Sequence, residues 1–311
     1  MASDMTKVFI DGSAGTTGLR IADRLAQRKD LELLILSDEV RKDPNARKDA
    51  LFSADIAFLC LPDDAAREAV ALAEGSKVKI IDTSTAHRTN DAWAYGFPEL
   101  AGQKAKIEGS SRIANPGCHA SGFVALVAPL VEQGIIAKDA KLSCFSLTGY
   151  SGGGKKMIGQ YEDPNRDVLY GAPRQYAMGQ THKHLPEMVK ICGLENAPVF
   201  CPIVADFYSG MEVTVSLFAS DIKGTPDDIR KLYASYYDAG LVRYSDAADP
   251  DGLLSAGAYS GRDDMQVSVY GNAERIILTS RFDNLGKGAS GAAIQNMNVL
   301  LGLPEATGLN V

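Results

Sequence analysis

The sequence has few cysteines, and their arrangement suits neither a disulfide framework nor a zinc site. The five are odd in number, widely spaced and without a CxxC pair: Cys60, Cys118, Cys144, Cys192 and Cys201. This pattern is typical of reduced thiols. We therefore expect no structural disulfide and no metal site.

The sequence also lacks a long apolar run, a signal-peptide pattern and an excess of positive charge. The formal net charge is −7, which argues against nucleic acid or an anionic membrane as the main partner. We expect a soluble, cytoplasmic protein. Its 311 residues are enough for two domains.

A glycine-rich loop follows the first apolar strand, predicted at residues 7–10, and precedes a helix predicted at residues 19–28. A strand, a glycine loop and a helix in this order form the phosphate-binding turn of a dinucleotide-binding fold. The spacing is G-x-x-G-x-x-G, a variant of the usual G-x-G-x-x-G. Residues 286–291 fit the usual spacing better, but no βαβ unit follows them, so we do not interpret them as a nucleotide loop. The predicted cofactor-binding loop is Gly12, Ser13, Ala14, Gly15, Thr16, Thr17 and Gly18.

The end of the second predicted strand, residues 31–36, bears on the choice between NAD and NADP. Asp38 would favour NAD by accepting hydrogen bonds from the ribose hydroxyls, whereas Ser37, Arg41 and Lys42 would favour the 2′-phosphate of NADP. Arg41 and Lys42 could also be ordinary solvated loop charges. These residues favour NADP and leave NAD open.

Further strand–helix alternation predicts strands at residues 55–61 and 77–81, and a helix at 63–74 capped by Asp63 or Asp64. Ligands of open α/β sheets bind beyond the carboxyl ends of the strands. The residues expected there beside the cofactor are Cys60, Leu61, Pro62 and Ser84. Arg88 is expected either at the surface or as a clamp for an anionic substrate.

The turn Asn115-Pro116-Gly117-Cys118 lies between a short strand at residues 112–114 and a helix at 121–133. Cys118 is thereby placed at or just before a helix N-terminus, where unpaired N–H groups and the helix dipole favour a thiolate. A thiolate attacks carbonyl carbon. The alternative is that Cys118 is a small apolar residue in a turn.

The second half of the chain is richer in strands and predicts an α+β domain. Strands are expected at residues 142–148, 199–205, 212–219, 266–270 and 275–282, helices at 186–192, 226–239 and 289–301, and a flexible glycine-rich loop at 150–156. The predicted fold class is therefore α/β plus α+β. The first domain comprises residues 1–116 with the C-terminal helix 289–311, and the second comprises residues 117–288.

The segment His182-Lys183-His184-Leu185-Pro186-Glu187 supplies a candidate acid–base group, since imidazole transfers protons near neutral pH. Glu187 could orient one of the histidines. The two histidines could instead be metal ligands or surface residues.

These motifs together resemble the short-chain type of the N-acetyl-γ-glutamyl-phosphate reductase family of arginine biosynthesis. The resemblance runs over nearly the whole chain, through the glycine loop, the Asn115–Cys118 turn, the His182–Glu187 segment and residues 283–289. It implies a Rossmann NADP-binding domain and a catalytic and dimerisation domain like that of glyceraldehyde-3-phosphate dehydrogenase. It also implies a homodimer or homotetramer.

The resemblance implies NADP(H) as cofactor and Cys118 as the nucleophile that forms a thioester. The remaining implied site residues are Gly117, Asn284 and Lys287 near the cofactor, and Arg88, Asn115 and Ser121 near the substrate. Longer family members have Thr-Pro-His where this sequence has Cys201-Pro202-Ile203. The proton-transfer role therefore falls to His182 or His184, and we favour His182.

Three alternative functions remain open from the sequence. Aspartate-semialdehyde dehydrogenase, or a related acyl-phosphate reductase, would use the same chemistry on another acyl phosphate. A cysteine hydrolase would need no cofactor, and a non-catalytic dinucleotide-binding sensor would need no nucleophile. Replacing Cys118 by Ser should leave cofactor binding intact and abolish turnover if the protein is a dehydrogenase.

Overall fold

The computed structural model describes residues 5–311 and divides the chain into two compact domains. Domain 1 contains the residues up to Pro116 together with Ala289–Leu309, and domain 2 contains Gly117–Gly288 with Asn310–Val311. The last two residues group with domain 2 rather than domain 1, because Asn310 exchanges two hydrogen bonds with Asp263.

Domain 1 has a six-stranded sheet in the order β2-β1-β3-β4-β6-β5, with every neighbouring pair parallel. Its elements before domain 2 are β1 Thr6–Asp11, α1 Thr16–Leu25, β2 Leu31–Leu34, α2 Pro44–Ser53, β3 Ile56–Leu59, α3 Asp63–Leu72, β4 Lys79–Asp82, β5 Ala94–Tyr95, α4 Gln103–Glu108 and β6 Arg112–Ala114.

Domain 2 has a seven-stranded mixed sheet in the order β11-β12-β13-β10-β7-β9-β8, antiparallel except at β11–β12 and β7–β9. Its elements are α5 Cys118–Glu132, β7 Ser143–Gly149, α6 Gly154–Glu162, β8 Arg174–Gln175, α7 Leu185–Cys192, β9 Val199–Ala205, β10 Met211–Phe218, α8 Pro226–Tyr236, β11 Val242–Tyr244, β12 Met265–Gly271 and β13 Arg275–Phe282. A short π-helical segment, Gly286–Ser290, leads into α9, Gly291–Leu300, which belongs to domain 1.

The domain 1 sheet is covered on both faces, as expected for parallel strands that are apolar at nearly every position. β3 is buried at all four of its positions. Ile21 of α1, Ile107 of α4 and Met297 of α9 pack in one cluster, while Leu51 of α2 and Ala66 of α3 pack in another. The predicted α/β fold of the first domain is confirmed.

The helix α5 is apolar on all sides and is the core helix of domain 2. Thirteen of its fifteen residues are buried, from His119 to Val131. A Cβ atom added at Gly122 would lie 2.4 Å from a methyl group of Val213 on β10, so glycine permits the close packing of the helix on the sheet. The predicted α+β domain with a mixed sheet is confirmed, and Pro129 lies in the last turn of α5.

The structure corrects two predictions of local structure and adds a helix. Residues 150–156 are not a flexible loop, because a short 3₁₀ helix, Tyr150–Gly153, runs directly into α6. Neither Asp63 nor Asp64 caps α3, because the cap residue is Pro62 and the Asp63 carboxylate instead accepts from the backbone N–H and hydroxyl of Thr85. The helix α2 was not predicted at all.

Candidate active site

The glycine loop of domain 1 forms a tight turn between β1 and α1. Gly12 has a φ of +88°, and a Cβ atom there would lie 2.3 Å from the carbonyl oxygen of Cys60. A Cβ atom at Gly18 would lie 2.4 Å from the Gly12 carbonyl oxygen, whereas at Gly15 the closest contact would be an ordinary 3.5 Å. Gly12 and Gly18 therefore close the loop, and Gly15, the residue just before α1, has an accessible backbone.

A cavity of about 320 Å³ lies beside this loop in domain 1. The loop residues Gly12 and Ser13 line one part of it, and the three cations Arg41, Lys42 and Arg47 line another. Exposed Arg41 is paired with Asp38 at 2.8 Å. Ser37, a predicted cofactor residue, donates to Glu39 at 2.7 Å.

Arg47, on the unpredicted helix α2, is the buried cation of this cavity. Its guanidinium lies 2.9 Å from the carboxylate of Asp11 at the end of β1, and both side chains are buried. Burial raises the pKa of Asp11, and the Arg47 charge opposes that rise. Arg47 therefore neutralises an acidic group at the edge of the cavity.

The predicted residues beyond β3 and β4 lie in a dense hydrogen-bond network. Burial raises the pKa of the Cys60 thiol to about 12, so this cysteine is a thiol and not a second nucleophile. Ser84 donates to buried Asp82 at 2.7 Å, and a ring nitrogen of His87 lies 2.6 Å from the same carboxylate. Leu61 lines the cavity, and Pro62 is the cap residue of α3.

Arg88 and Asn115 shape the turn at the end of β6. Arg88 is buried, and its guanidinium donates to the carbonyl oxygens of Asn115 and Thr83, both at 2.9 Å. The Asn115 amide donates to the Ala289 carbonyl at 3.0 Å and accepts from Asn296 at 3.2 Å. These contacts show a structural role for both residues, and their binding of substrate stays a prediction.

Cys118 is the first residue of α5, so the structure places it where a helix presents its unpaired N–H groups. The residue before the helix, Gly117, donates its backbone N–H to the buried carboxylate of Glu187 on α7 at 2.9 Å. The Ser121 hydroxyl, fully buried, donates to the Gly117 carbonyl at 3.1 Å. Glu187 and Ser121 thus hold the start of the helix.

Three histidine rings meet beside this helix start. The ring centroids of His182 and His184 lie 4.7 Å apart, and each lies 5.6 Å from that of His119, the residue after Cys118. Burial and the Lys183 charge lower the pKa of His182 to about 4. His182 is therefore neutral at physiological pH and able to accept a proton.

His119 and Tyr176 belong to this cluster and were not predicted as site residues. The two ring nitrogens of His119 lie 2.6 Å from the hydroxyls of Ser146 and Tyr176. Burial and the neighbouring Cys118 raise the pKa of Tyr176 well above its usual value. His119 could have been noticed because it adjoins Cys118, but no sequence signal links Tyr176 to either residue.

The segment after β13 is buried within domain 2. The Asn284 amide donates to the Ser151 hydroxyl at 3.0 Å and accepts from the Gly210 N–H at 2.9 Å. The Lys287 side chain is fully buried. A Cβ atom at Gly288 would lie 2.9 Å from the Cβ of Cys118, which brings this segment directly against Cys118. Cofactor contact by Asn284 and Lys287 stays a prediction.

Both domains resemble families of known proteins. Residues 118–284 match a family model described as semialdehyde dehydrogenase, dimerisation domain, and residues 7–108 match one described as semialdehyde dehydrogenase, NAD binding domain. The N-acetyl-gamma-glutamyl-phosphate reductase 2 of Nostoc sp. is 45% identical over 97% of this chain and 99% of its own. The chain belongs to the N-acetyl-gamma-glutamyl-phosphate reductase family. The resemblance inferred from the sequence motifs is confirmed.

A second relative in this reductase family is the N-acetyl-gamma-glutamyl-phosphate reductase of Brucella ovis, 44% identical over 95% of this chain and 99% of its own. Among solved structures, aspartate semialdehyde dehydrogenase II of Vibrio cholerae complexed with ASA aligns with a TM-score of 0.73 and 18% identity, covering 96% of this chain and 99% of that chain. At that identity the likeness shows the fold alone.

The predicted site residues of this family member separate by domain. Domain 1 contains the glycine loop, the cavity, Ser84, Arg88 and Asn115. Domain 2 contains Cys118, the histidines of the cluster, Glu187, Ser121, Asn284 and Lys287. Within residues 5–311, no three metal-ligating side chains are grouped to hold an ion. No helix in that part of the chain is both long and apolar enough to cross a membrane.

Proposed function

We propose that this protein reduces N-acetyl-γ-glutamyl phosphate to N-acetylglutamate 5-semialdehyde with NADPH and releases phosphate, as a step of arginine biosynthesis in the cytoplasm. The observation that carries the proposal is a cysteine at the first position of a helix, beside a cluster of histidines, in a chain 45% identical to such reductases over nearly its full length.

Cys118 is proposed to attack the acyl-phosphate carbonyl carbon as a thiolate and to expel phosphate, which leaves a thioester on its sulfur. Backbone N–H groups at the start of α5 would hold the oxyanion that develops on the carbonyl oxygen, an effect of about 3 kcal/mol for each donor. The Glu187 carboxylate fixes the Gly117 N–H and so stabilises the position of this helix start. A thiolate and fixed N–H donors for the oxyanion are the requirements for acyl transfer to a cysteine.

The residues of domain 1 fit a dinucleotide. The Gly12–Gly18 turn leaves room for a pyrophosphate, and the cations Arg41, Lys42 and Arg47 line the adjoining cavity. We propose that the two exposed cations, Arg41 and Lys42, favour the 2′-phosphate of NADP over the free ribose hydroxyls of NAD. NADPH, when bound, supplies the hydride that reduces the thioester.

His182 is proposed as the proton-transfer residue. Because its pKa is lowered to about 4, it is neutral at pH 7 and can take the proton of the Cys118 thiol as the thiolate forms. It is proposed to give this proton to the substrate oxygen once the thioester is reduced, and to recover it from the hydroxyl of the thiohemiacetal as the aldehyde leaves. His184, 4.7 Å away between ring centroids, is the alternative. Arg88, Asn115 and Ser121 are also proposed to contact the substrate. Their first role is to hold the turn that precedes Cys118.

Since the family model for residues 118–284 is a dimerisation domain, the protein is expected to be a homo-oligomer. We propose a homodimer or homotetramer. Light scattering after size-exclusion chromatography would measure the mass, and a monomer at micromolar concentration would contradict the proposal.

The function is tested in the reverse direction by absorbance at the NADPH band. Enzyme, NADP and N-acetylglutamate 5-semialdehyde should produce NADPH only when phosphate is added. Cys118→Ser should bind NADP normally and give no turnover. Turnover with aspartate semialdehyde instead would identify the shorter acyl phosphate as substrate, and turnover without phosphate would overturn the acyl-phosphate assignment.

A further inference from the structure

Two buried side chains of domain 2, Ser146 and His119, form a hydrogen-bonded chain with the partly buried Tyr176, which interacts electrostatically with Cys118. Ser146 lies on β7, His119 is the second residue of α5, and Tyr176 follows directly after β8. The His119 Nδ1 is 2.6 Å from the Ser146 hydroxyl oxygen, and its Nε2 is 2.6 Å from the Tyr176 hydroxyl oxygen. Both Ser146 and His119 are at least 97% buried.

The direction of these hydrogen bonds follows from the number of protons that Ser146 and His119 can donate. The Ser146 hydroxyl is fully buried, and His119 is its hydrogen-bond partner in the described chain. If Nδ1 carried the proton, the Ser146 hydroxyl would accept it and its own proton would be left without an acceptor, which costs about 1–3 kcal/mol. Ser146 therefore donates to Nδ1, and the proton of the neutral ring is on Nε2.

A proton on Nε2 makes Tyr176 the acceptor from His119. The Tyr176 hydroxyl proton then points away from the imidazole and is available to another group. Burial, and then the neighbouring His182, lower the pKa of His119 to about 3, so the ring stays neutral and keeps one donor and one acceptor at every working pH. Burial and then Cys118 raise the pKa of Tyr176, so its hydroxyl stays protonated.

We propose that Ser146 and His119 are positioning residues that direct the Tyr176 hydroxyl at the sulfur of Cys118, to which Tyr176 donates a hydrogen bond. The proposal rests on the proposed function in taking Cys118 as the nucleophile. A donor to the sulfur favours thiolate over thiol, so it extends the reactivity of Cys118 to lower pH. His182 and His184 then remain available to transfer the proton of the substrate oxygen.

The test measures how the alkylation rate of Cys118 by iodoacetamide depends on pH, by mass spectrometry of the peptide that contains Cys118. Tyr176→Phe removes the donor and should raise the pH midpoint by about one unit, a tenfold change in the thiolate–thiol equilibrium. Other ionisable groups of the cluster, His182, His184 and Glu187, remain in every variant, so the shift reports the hydroxyl alone.

Two substitutions at His119 provide a matched pair. His119→Gln places an N–H donor where Nε2 stood and should keep the wild-type midpoint. His119→Asn keeps an acceptor for Ser146 but cannot reach Tyr176, and should shift the midpoint as Tyr176→Phe does. The double variant His119→Asn/Tyr176→Phe should shift no further, because both changes remove one interaction.

A wild-type midpoint in Tyr176→Phe, or additive shifts in the double variant, would overturn the proposal. So would equal behaviour of the Gln and Asn variants, which would show that His119 serves packing alone. Circular dichroism reports folding of each variant, and if His119→Asn does not fold, Ser146→Ala takes its place with a smaller shift in the same direction. Alkylation needs neither substrate nor NADP, so failure here is distinct from failure of the reductase assay.

Discussion

At the scale of single residues, two glycines of domain 1 share one backbone conformation and differ in their surroundings. Gly12 has a φ of +88° and Gly75 a φ of +84°. A Cβ atom at Gly12 would overlap the Cys60 carbonyl oxygen at 2.3 Å, whereas at Gly75 no atom lies within 4 Å. The pair therefore separates the cost of backbone strain from the cost of a collision.

Gly75→Ala should lower the free energy of unfolding by about 1–2 kcal/mol, the strain of a left-handed residue with a side chain. Gly12→Ala should lower it by about 3 kcal/mol or more and abolish NADP binding, since the β1–α1 turn must open. Urea unfolding and NADPH fluorescence measure the two effects. Equal losses of stability in the two variants would show that the contact with Cys60 is unimportant.

The buried histidines make stability depend on pH. The pKa values of His119 and His182 are about 3 and 4 in the folded chain, below the ordinary 6.5. The unfolded chain therefore binds more protons between pH 6.5 and 4, and the free energy of unfolding falls as the pH falls through that window. For fully buried His119 the loss from pH 7 to pH 5 is about 2 kcal/mol.

His119→Gln removes the titrating ring and should flatten this dependence by that amount. Ser146→Ala keeps the ring buried and should keep the wild-type slope, which makes it the matched control. Unfolding free energies of the wild type and both variants at pH 7, 6 and 5 measure this pH dependence. A wild-type slope in the Gln variant would mean that the pKa of His119 is the same in the folded and the unfolded chain, contrary to its burial.

At the scale of secondary structure, α5 contains a proline whose missing donor is replaced by another helix. Pro129 has no N–H, so the carbonyl of Ala125, four residues earlier, receives no hydrogen bond from within the helix. The Tyr237 hydroxyl, just after α8, donates to this carbonyl at 2.7 Å. One turn of α5 thus depends on a side chain more than one hundred residues away.

Tyr237→Phe should cost about 1–2 kcal/mol in the wild-type background, because it leaves the buried Ala125 carbonyl unsatisfied. In a Pro129→Ala background the cost should fall by about 1 kcal/mol, since the introduced alanine supplies the missing N–H.

Tyr233→Phe is the control. Its acceptor, the Leu126 carbonyl, lies opposite Leu130, which has an N–H, so its cost should not depend on Pro129. Urea unfolding of the single and double variants measures these costs, and equal costs of Tyr237→Phe in both backgrounds would contradict the assigned role.

The elements that the sequence predicted well are those whose burial follows a local pattern. The strand β3 is four consecutive buried apolar residues, and the strands Val199–Ala205 and Arg275–Phe282 were predicted with the observed bounds. The helix α2 has only Arg47 and Leu51 buried, so its apolar periodicity was too weak to detect despite the Asp43 cap. Its buried arginine, a lining residue of the cavity, was missed for the same reason.

The start of α6 and the histidine cluster show a different limit. Glycines at residues 152–154 indicate flexibility locally, but Gly153 packs so closely that a Cβ atom there would lie 2.5 Å from Met157. Cys118, His182 and Glu187 were found from motifs. Tyr176 was not, because it reaches His119 only through the pairing of the two-residue strand β8 with β9.

At the scale of the whole molecule, a chain with net charge −7 must bind a cofactor that is itself strongly anionic. Long-range repulsion disfavours both NAD and NADP, so the preference between them has to come from nearby cations. Arg41 and Lys42 are the exposed cations that line the cavity in domain 1. Their positions predict that NADP stabilises the folded chain more than NAD does.

NADP at one hundred times its dissociation constant should raise the free energy of unfolding by about 2.7 kcal/mol, and NAD at the same concentration should raise it by clearly less. Arg41→Ala/Lys42→Ala should remove this difference by weakening NADP binding alone. Lys77→Ala/Lys106→Ala removes the same two charges from exposed sites of domain 1 away from the cavity and should preserve the difference. Thermal unfolding with each cofactor, for the three proteins at one ionic strength, measures these shifts. If both double variants lose the preference equally, the total number of cations and not the position of Arg41 and Lys42 sets the preference, and the proposed cofactor site would have to be placed elsewhere in the domain.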